Sequence, residues 1–301
     1  MQKFSIKDLE NFTGIKAHTI RAWEQRYQLL NPQRTATNIR YYTDADLKLL
    51  LNVNLLNQRG VKISKIAGMT EQEIEKLIAE KTENKGENAH FLNMLKLSML
   101  NYDETLFREI TKQFLKEHTV FEMFHQLYLP FMNQVGVLWL TSAICPAQEH
   151  FVSNLIRQKL FSLIEENFQE PTGDERLFVL YLPEKEIHEI SLTLAHYLLR
   201  DRGHRSIFLG QSVPFEDLSA VEKKFNSVEF VTICTTHPSA GKVESYIDKI
   251  VEEFKNKNVN FHLTGPVFSK FEGQGPEWLN IYKNAYELVG SLLDLAPVSH
   301  S

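Results

Sequence analysis

The chain has 301 residues, with 33 Lys/Arg, 38 Asp/Glu and a 43% hydrophobic share, which fits two ordinary globular domains, or three with one small, and excludes a disordered chain. Two distant cysteines, 13 glycines, and neither a Walker loop nor a GxGxxG run exclude a disulfide or zinc scaffold and the common nucleotide-binding loops. No apolar run reaches the roughly 18 residues that cross a bilayer, and the start MQKFSIKD has no apolar leader, so a reducing cytoplasm and no membrane partner are expected.

The charge is uneven. Residues 1–66 hold 11 Lys/Arg and 5 Asp/Glu, a balance of +6, so the remainder holds 22 and 33, or −11. A basic head on an acidic body points to a polyanion partner for the head, against the plainer reading of a solvated basic face.

Ser5 and Asp8 read as the cap of a short helix, and Gly14 suits a tight turn. The next helix, from about Ala17 to Gln28, puts Ile20, Trp23 and Tyr27 on one face and leaves His18, Thr19, Arg21 and Arg26 off it. That is the layout of a helix-turn-helix, whose second helix offers its N-terminal residues to the major groove. Pro32 ends this region, and Gln33 to Tyr42 alternates enough for a two-stranded wing around Ala36-Thr37-Asn38, carrying Arg34, Arg40 and Tyr41. Thr43 and Asp46 cap another helix that stops at Gly60, with Leu47, Leu50, Leu51 and Leu55 in the core. The head spans 1–75. A short capped helix then leads into a polar linker over 76–88, and no heptads persist, so self-association must come from further along.

Residues 89–170 read as a four-helix bundle with short connections, Pro130 kinking the third helix and Pro146 in the first turn of the fourth. Met94, Met99, Met123, Met132, Phe121, Phe124 and Phe131 are expected mostly in its core. Trp139 ends one helix and Glu149-His150 opens the next, so the loop TSAICPA brings them to one end of the bundle.

In residues 175–301, LFVLYL, RSIFLG, EFVTICT and NFHLTG are short apolar runs separated by helical segments, and a last strand and helix follow. This alternation predicts a doubly wound, parallel-sheet α/β domain of Rossmann-like type, with ligands at the carboxyl ends of the strands. Glu186-Ile187-His188-Glu189 occupies such a place, opening the first helix. His196, His204, His237 and His262 are scattered singly and read as surface or core residues.

The head resembles the winged-helix DNA-binding domain of the MerR family of transcription regulators. The family run T-[LI]-R-x-[WY]-E-x-R-x-x-L-L-x-P-x-R, with its wing, is matched at Thr19, Ile20, Arg21, Trp23, Glu24, Arg26, Leu30, Pro32, Arg34, Arg40 and Tyr42, with Ile39 in place of a wing tyrosine. The resemblance implies binding to a double-stranded operator, with Arg21, Arg34 and Arg40 at phosphates or groove edges, Trp23 and Tyr42 packing the core, and Glu24 as partner of an arginine.

The last domain resembles the cobalamin-binding domain of methionine synthase and the base-off mutases, whose hallmark is D/E-x-H-x-x-G. Here it is Glu186, His188 and Ser191, and Leu209-Gly210-Gln211-Ser212-Val213-Pro214 fits the family's L-G-x-x-x-P run. The resemblance implies that His188 is the lower axial ligand of cobalt, with Glu186 fixing its tautomer. Thr232 and Cys234 stand at a family S-x-L, and Thr264-Gly265 at its Gly-Gly. Those positions border the nucleotide tail, and Ser191 and Thr264 would narrow its channel.

Together, the MerR-type head, the bundle with W-x9-E-H and the E-x-H domain resemble the CarH and LitR family of light-responsive repressors, which bind adenosylcobalamin. The family implies that Trp139 and Glu149 lie over the adenosyl group, that His150 ligates cobalt after photolysis, and that the protein is a self-associating repressor, dimer or tetramer, and not an enzyme. A mutase would need a substrate barrel of about 250 residues, for which there is no room. The departures at Ser191, Thr232, Cys234 and Thr264 keep open a regulator whose α/β domain is a cofactor-free scaffold for oligomerisation or partner binding.

Overall fold

A computed structural model describes residues 3–35, 37–82, 88–166, 176–269, 271, 273 and 275–294, and its contacts divide the chain into two units, Met1–Leu155 and Ile156–Ser301.

The first unit starts with helix α1 (Ile6–Thr13), closed at its start by the reciprocal Ser5–Asp8 capping box and at its end by Gly14 at φ +76°. Helix α2 (Ala17–Tyr27) follows, then the antiparallel wing strands β1 (Gln33–Arg34) and β2 (Arg40–Tyr41). Of the expected α2 core face only Ile20 is fully buried, while Trp23 and Tyr27 are half-buried. Helix α3 (Asp44–Gln58), capped by Thr43 and Asp46, buries Leu47, Leu50, Leu51 and Leu55 as its spacing predicts. After the short α4 (Ile63–Ile66), α5 spans Glu71–Thr82. It takes up the first half of the span expected as linker, because Thr70 and Glu73 cap it; residues 83–87 lie outside the described residues.

Helices α6 (Ala89–Asn101) and α7 (Glu104–Phe114) pack together, α7 burying Phe107, Ile110, Thr111 and Phe114 along one stripe. The third bundle helix is α8 (Val120–Met123), a π-helical turn (Phe124–Tyr128) and α9 (Leu129–Leu140) run together. Pro130 explains the break: it has no N–H, and its ring crowds the carbonyl of Gln126, four residues earlier. That carbonyl accepts instead from Asn88 Nδ2 at 3.4 Å, and Asn88 also bonds Gln126 Oε1 at 3.1 Å. Phe124, Phe131, Met99 and Met123 are buried as expected, but Phe121 is exposed: it precedes the π turn and lies on the outer face of the helix. Helix α10 (Pro146–Glu166) completes the bundle, and residues 167–170 lie outside the described residues. Head and bundle touch within this unit, where α3 packs on α6 and Asn93 donates to the Leu51 carbonyl.

Among the described residues of the second unit, five parallel strands run in the order β4-β3-β5-β6-β7: β3 (Leu177–Pro183), β4 (Ser206–Val213), β5 (Val228–Ile233), β6 (Val259–Thr264) and β7 (Leu279–Ile281). β3 is buried throughout and its residues alternate between faces. Phe178, Leu180 and Leu182 meet α11 (Ile190–Asp201) and α14 (Ala285–Asp294). Leu177, Val179 and Tyr181 meet α12 (Phe215–Glu222) and α13 (Val243–Phe254). Each fully buried aromatic or aliphatic side chain here contributes about 1.5–3 kcal/mol. His262, read as an isolated residue, is a core residue paired with Glu229 across β5 and β6, its Nε2 2.8 Å from Oε2 and its Nδ1 2.9 Å from Tyr282 Oη. Among the described residues, no helix is long and apolar enough to cross a membrane.

The end of β6 requires glycine. Gly265 has φ +120°, and a Cβ there would lie 1.9 Å from the Cys234 carbonyl oxygen. Gly265→Ala is therefore expected to destabilise the α/β unit by about 3 kcal/mol or more. Thermal unfolding followed by circular dichroism would show it, and an unchanged melting point would refute this account of the turn.

Candidate functional site

The DNA-facing candidates divide between helix and wing. His18, Arg21 and Arg26 are exposed on α2, with Thr19 half-buried beside them. Arg34 and Arg40 are exposed on the wing, directly across the ladder from each other. Arg34 is steadied by the Asn38 Oδ1 (2.8 Å) and carbonyl (3.3 Å) of the hairpin turn. Tyr41 donates to Gln33 Oε1 at 2.5 Å, and Lys3 lies over its ring. Ile39, the departure from the family run, is exposed at the wing.

One carboxylate holds helix and wing together. Glu24 of α2 accepts from Tyr42 Oη at 3.0 Å, and Arg40 Nε lies 3.7 Å away. Tyr42 is fully buried, and burial together with the Glu24 bond pushes its hydroxyl up to about 12. Glu24 thus ties Tyr42 and Arg40 to α2, as the expected partner of an arginine.

In the bundle, Trp139 closes α9 with half its surface (49%) exposed. Glu149 and His150 stand in the first turns of α10, with His150 Nδ1 2.6 Å from Glu149 Oε2. The turn between them is fixed at both ends. Ser142 and Ala143 donate to the carbonyls of Trp139 and Leu138, and buried Gln148 reaches the Cys145 amide and the Leu100 carbonyl.

In the α/β unit, Glu186 and His188 lie in the loop between β3 and α11, where the strand order reverses. His188 precedes α11 instead of opening it, because the chain stays non-helical until Ile190. Glu186 is 0% exposed. Its Oε1 accepts from His188 Nδ1 at 2.5 Å and from the Ile187 and His188 amides; its Oε2 accepts from the amides of Thr235, Thr236 and His237 at 2.6–2.9 Å. Burial alone would raise this carboxyl's pKa, but the His188 bond and the converging amides outweigh it and hold it far below the usual range. A carboxylate that accepts from Nδ1–H puts the imidazole lone pair on Nε2, and the His188 side chain is 48% exposed.

Of the tail-channel candidates, Ser191 is half-buried in the first turn of α11. Thr232 and Thr264 are fully buried, Thr232 Oγ1 lying 3.4 Å from Cys234 Sγ and Thr264 Oγ1 donating to the Tyr282 carbonyl at 2.9 Å. The structure links these residues in sequence: Gly265 touches Cys234, and the next amides, Thr235 and Thr236, hold Glu186. The Thr236 hydroxyl also donates to Glu186 Oε2 at 3.2 Å. These donors were not singled out from sequence, since three are backbone amides and the hydroxyl lies 50 residues downstream. The pair's chemistry suits a metal-bearing cofactor, because a histidine oriented by a buried carboxylate is a donor that such a metal takes.

Residues 4–73 match the family model of the MerR HTH family regulatory proteins, and residues 92–164 match that of the B12 binding domain. The chain is 33% identical over 222 residues to the HTH-type transcriptional repressor CarH of Myxococcus xanthus, covering 71% of this chain and 73% of CarH. It is 27% identical over 216 residues to the repressor CarA of the same organism, covering 69% of this chain and 68% of CarA. Its fold is shared with the monomethylamine corrinoid protein of Methanosarcina barkeri, at a TM-score of 0.55 and 18% identity, over 70% of this chain and 100% of that one. The chain belongs to the MerR-type family of DNA-binding transcription regulators that carry a B12-binding domain, the family of CarH.

Proposed function

We propose that the chain is a repressor whose self-association and operator binding are set by adenosylcobalamin and light. The observation that carries this is the buried Glu186 carboxylate with His188 Nδ1 2.5 Å away, a histidine already oriented as a metal ligand. Bound adenosylcobalamin supplies a cobalt–carbon bond that visible light breaks. His188 would be the nitrogen donor that holds the cobalt, with Glu186 keeping the imidazole proton on Nδ1. Trp139 and Glu149 would be further cobalamin-contacting residues, and His150 would be a second candidate nitrogen donor once light has broken that bond. Ser191, Thr232, Thr264 and Gly265 would be the residues facing the nucleotide portion. Two or four heads held in one assembly bind repeated half-sites with avidity that a single head lacks, and loss of the assembly in light releases the operator.

One observation favours a second reading. Thr232 and Thr264 are buried and engaged inside the domain, where the cobalamin-binding family has smaller residues. In that reading the α/β unit is a cofactor-free scaffold. Operator binding that is the same with and without corrin, in dark and in light, would select it.

Three outcomes are expected. The purified chain takes up adenosylcobalamin in the dark, changes its visible spectrum and its size on illumination, and loses affinity by about tenfold or more in His188→Ala; equal uptake by that variant would remove His188 from the axial role. Glu186→Gln lowers the stability of the α/β unit at pH 7 by about 1–3 kcal/mol. The depressed carboxyl contributes fully above its ordinary value of 4.5 and loses that contribution as pH falls toward its folded value. The gap between wild type and variant in urea titrations should therefore be flat near neutrality and shrink in acid; a gap that widens in acid would contradict the geometry. On the head, Arg21→Ala or Arg34→Ala weakens binding across unrelated sequences and lowers the salt slope by about 1, and an unchanged slope in fluorescence anisotropy would place that arginine off the phosphates.

A further inference from the structure

Lys96 stands apart from all of this chemistry. It lies in the middle of α6 with 8% of its surface exposed, and its ammonium makes a single long hydrogen bond among the described residues, 3.4 Å to the Phe12 carbonyl. No carboxylate pairs with it among the described residues. A buried cation without a counter-charge is costly, and proteins rarely leave one so. Burial pulls its pKa down to about 8, which still leaves it mostly charged at neutral pH.

Lys96 also lines a cavity of about 260 Å³ within the first unit, together with Asn11 and Phe12 of α1 and Asn133, Gln134, Val137 and Leu138 of α9. A single water needs only about 10–15 Å³ by such a measure, so the space suits an organic molecule at the small end of ligand sites. Phe12, Val137 and Leu138 make apolar walls, three amides supply neutral hydrogen-bonding groups, and no acidic side chain lines it. The lining includes none of Trp139, Glu149, His150, Glu186 or His188.

We propose that this cavity binds a small organic monocarboxylate, its carboxylate paired with Lys96 and its apolar body against Phe12, Val137 and Leu138. Such a ligand supplies the missing counter-charge. It also bridges α1 of the DNA-binding head to α6 and α9 of the helical bundle, and so stiffens the joint between them. This site is independent of the corrin reading.

The test is isothermal titration of the full chain in the dark at pH 7 with benzoate and with hexanoate. Expected is saturable binding of at least one, weakened about tenfold or more in Lys96→Met and in Val137→Trp. The methionine keeps the stem's volume without the charge, and Val137 is exposed at the cavity, so the tryptophan blocks it without disturbing the core. Should Lys96→Met fail to fold, the Val137→Trp comparison decides. Absence of saturable binding, equal binding by folded variants, or equal binding of inorganic phosphate would each overturn the proposal.

Discussion

A carboxylate taken out of water is the constraint around which the α/β unit is arranged. Glu186 sits at the edge of a fully buried strand, where an ionised group survives only if its oxygens are completely satisfied. Its own loop supplies two amides and a histidine, and the loop after β5 supplies three more amides. The two loops that flank the reversal in strand order are thereby tied to one point. His188 inherits its tautomer from the same carboxylate, so a structural necessity at the carboxyl end of β3 and the orientation of a metal-type donor have one cause.

The head repeats this economy on a smaller scale. Glu24 accepts a hydrogen bond from Tyr42 and pairs by charge with Arg40, so the carboxylate bonded to the buried tyrosine also lies beside one of the wing's cations. The wing ladder is only two residue pairs long, and it is braced by the antiparallel bridge between Phe4 and Tyr42 and by the carboxylate of α2. In both units, charged groups at element boundaries place the functional side chains, and apolar packing only supplies the platform.

Much of this was legible in the sequence because it depends on neighbours along the chain. The capping pairs Ser5–Asp8 and Thr43–Asp46, the glycine at 14, and the continuous apolar run of β3 each declare their local structure within a few residues. The site pair Glu186–His188 was legible for the same reason, being two residues apart. What was not legible depends on distance. The remote donors to Glu186 are the backbone amides of Thr235, Thr236 and His237, which have no sequence signature, and the Thr236 hydroxyl, 50 residues away. His262 read as a stray histidine because its partner Glu229 is 33 residues away. The burial of Lys96 depends on α1 and α9 closing over α6, which no periodicity in α6 announces. Pro130 promised a kink, but not that Asn88, remote in the chain, would take the carbonyl it strands.

The π turn at Phe124–Tyr128 carries one residue more than an ordinary helical turn. An added residue advances everything after it by about 100° around the helix axis. The compass bearing of Trp139, a dozen residues on, is thus wound into the chain upstream, like the offset of a hand on a dial. A sequence that lost a single residue between Met123 and Leu129 would keep every side chain beyond the turn and yet aim its tryptophan at a different neighbour.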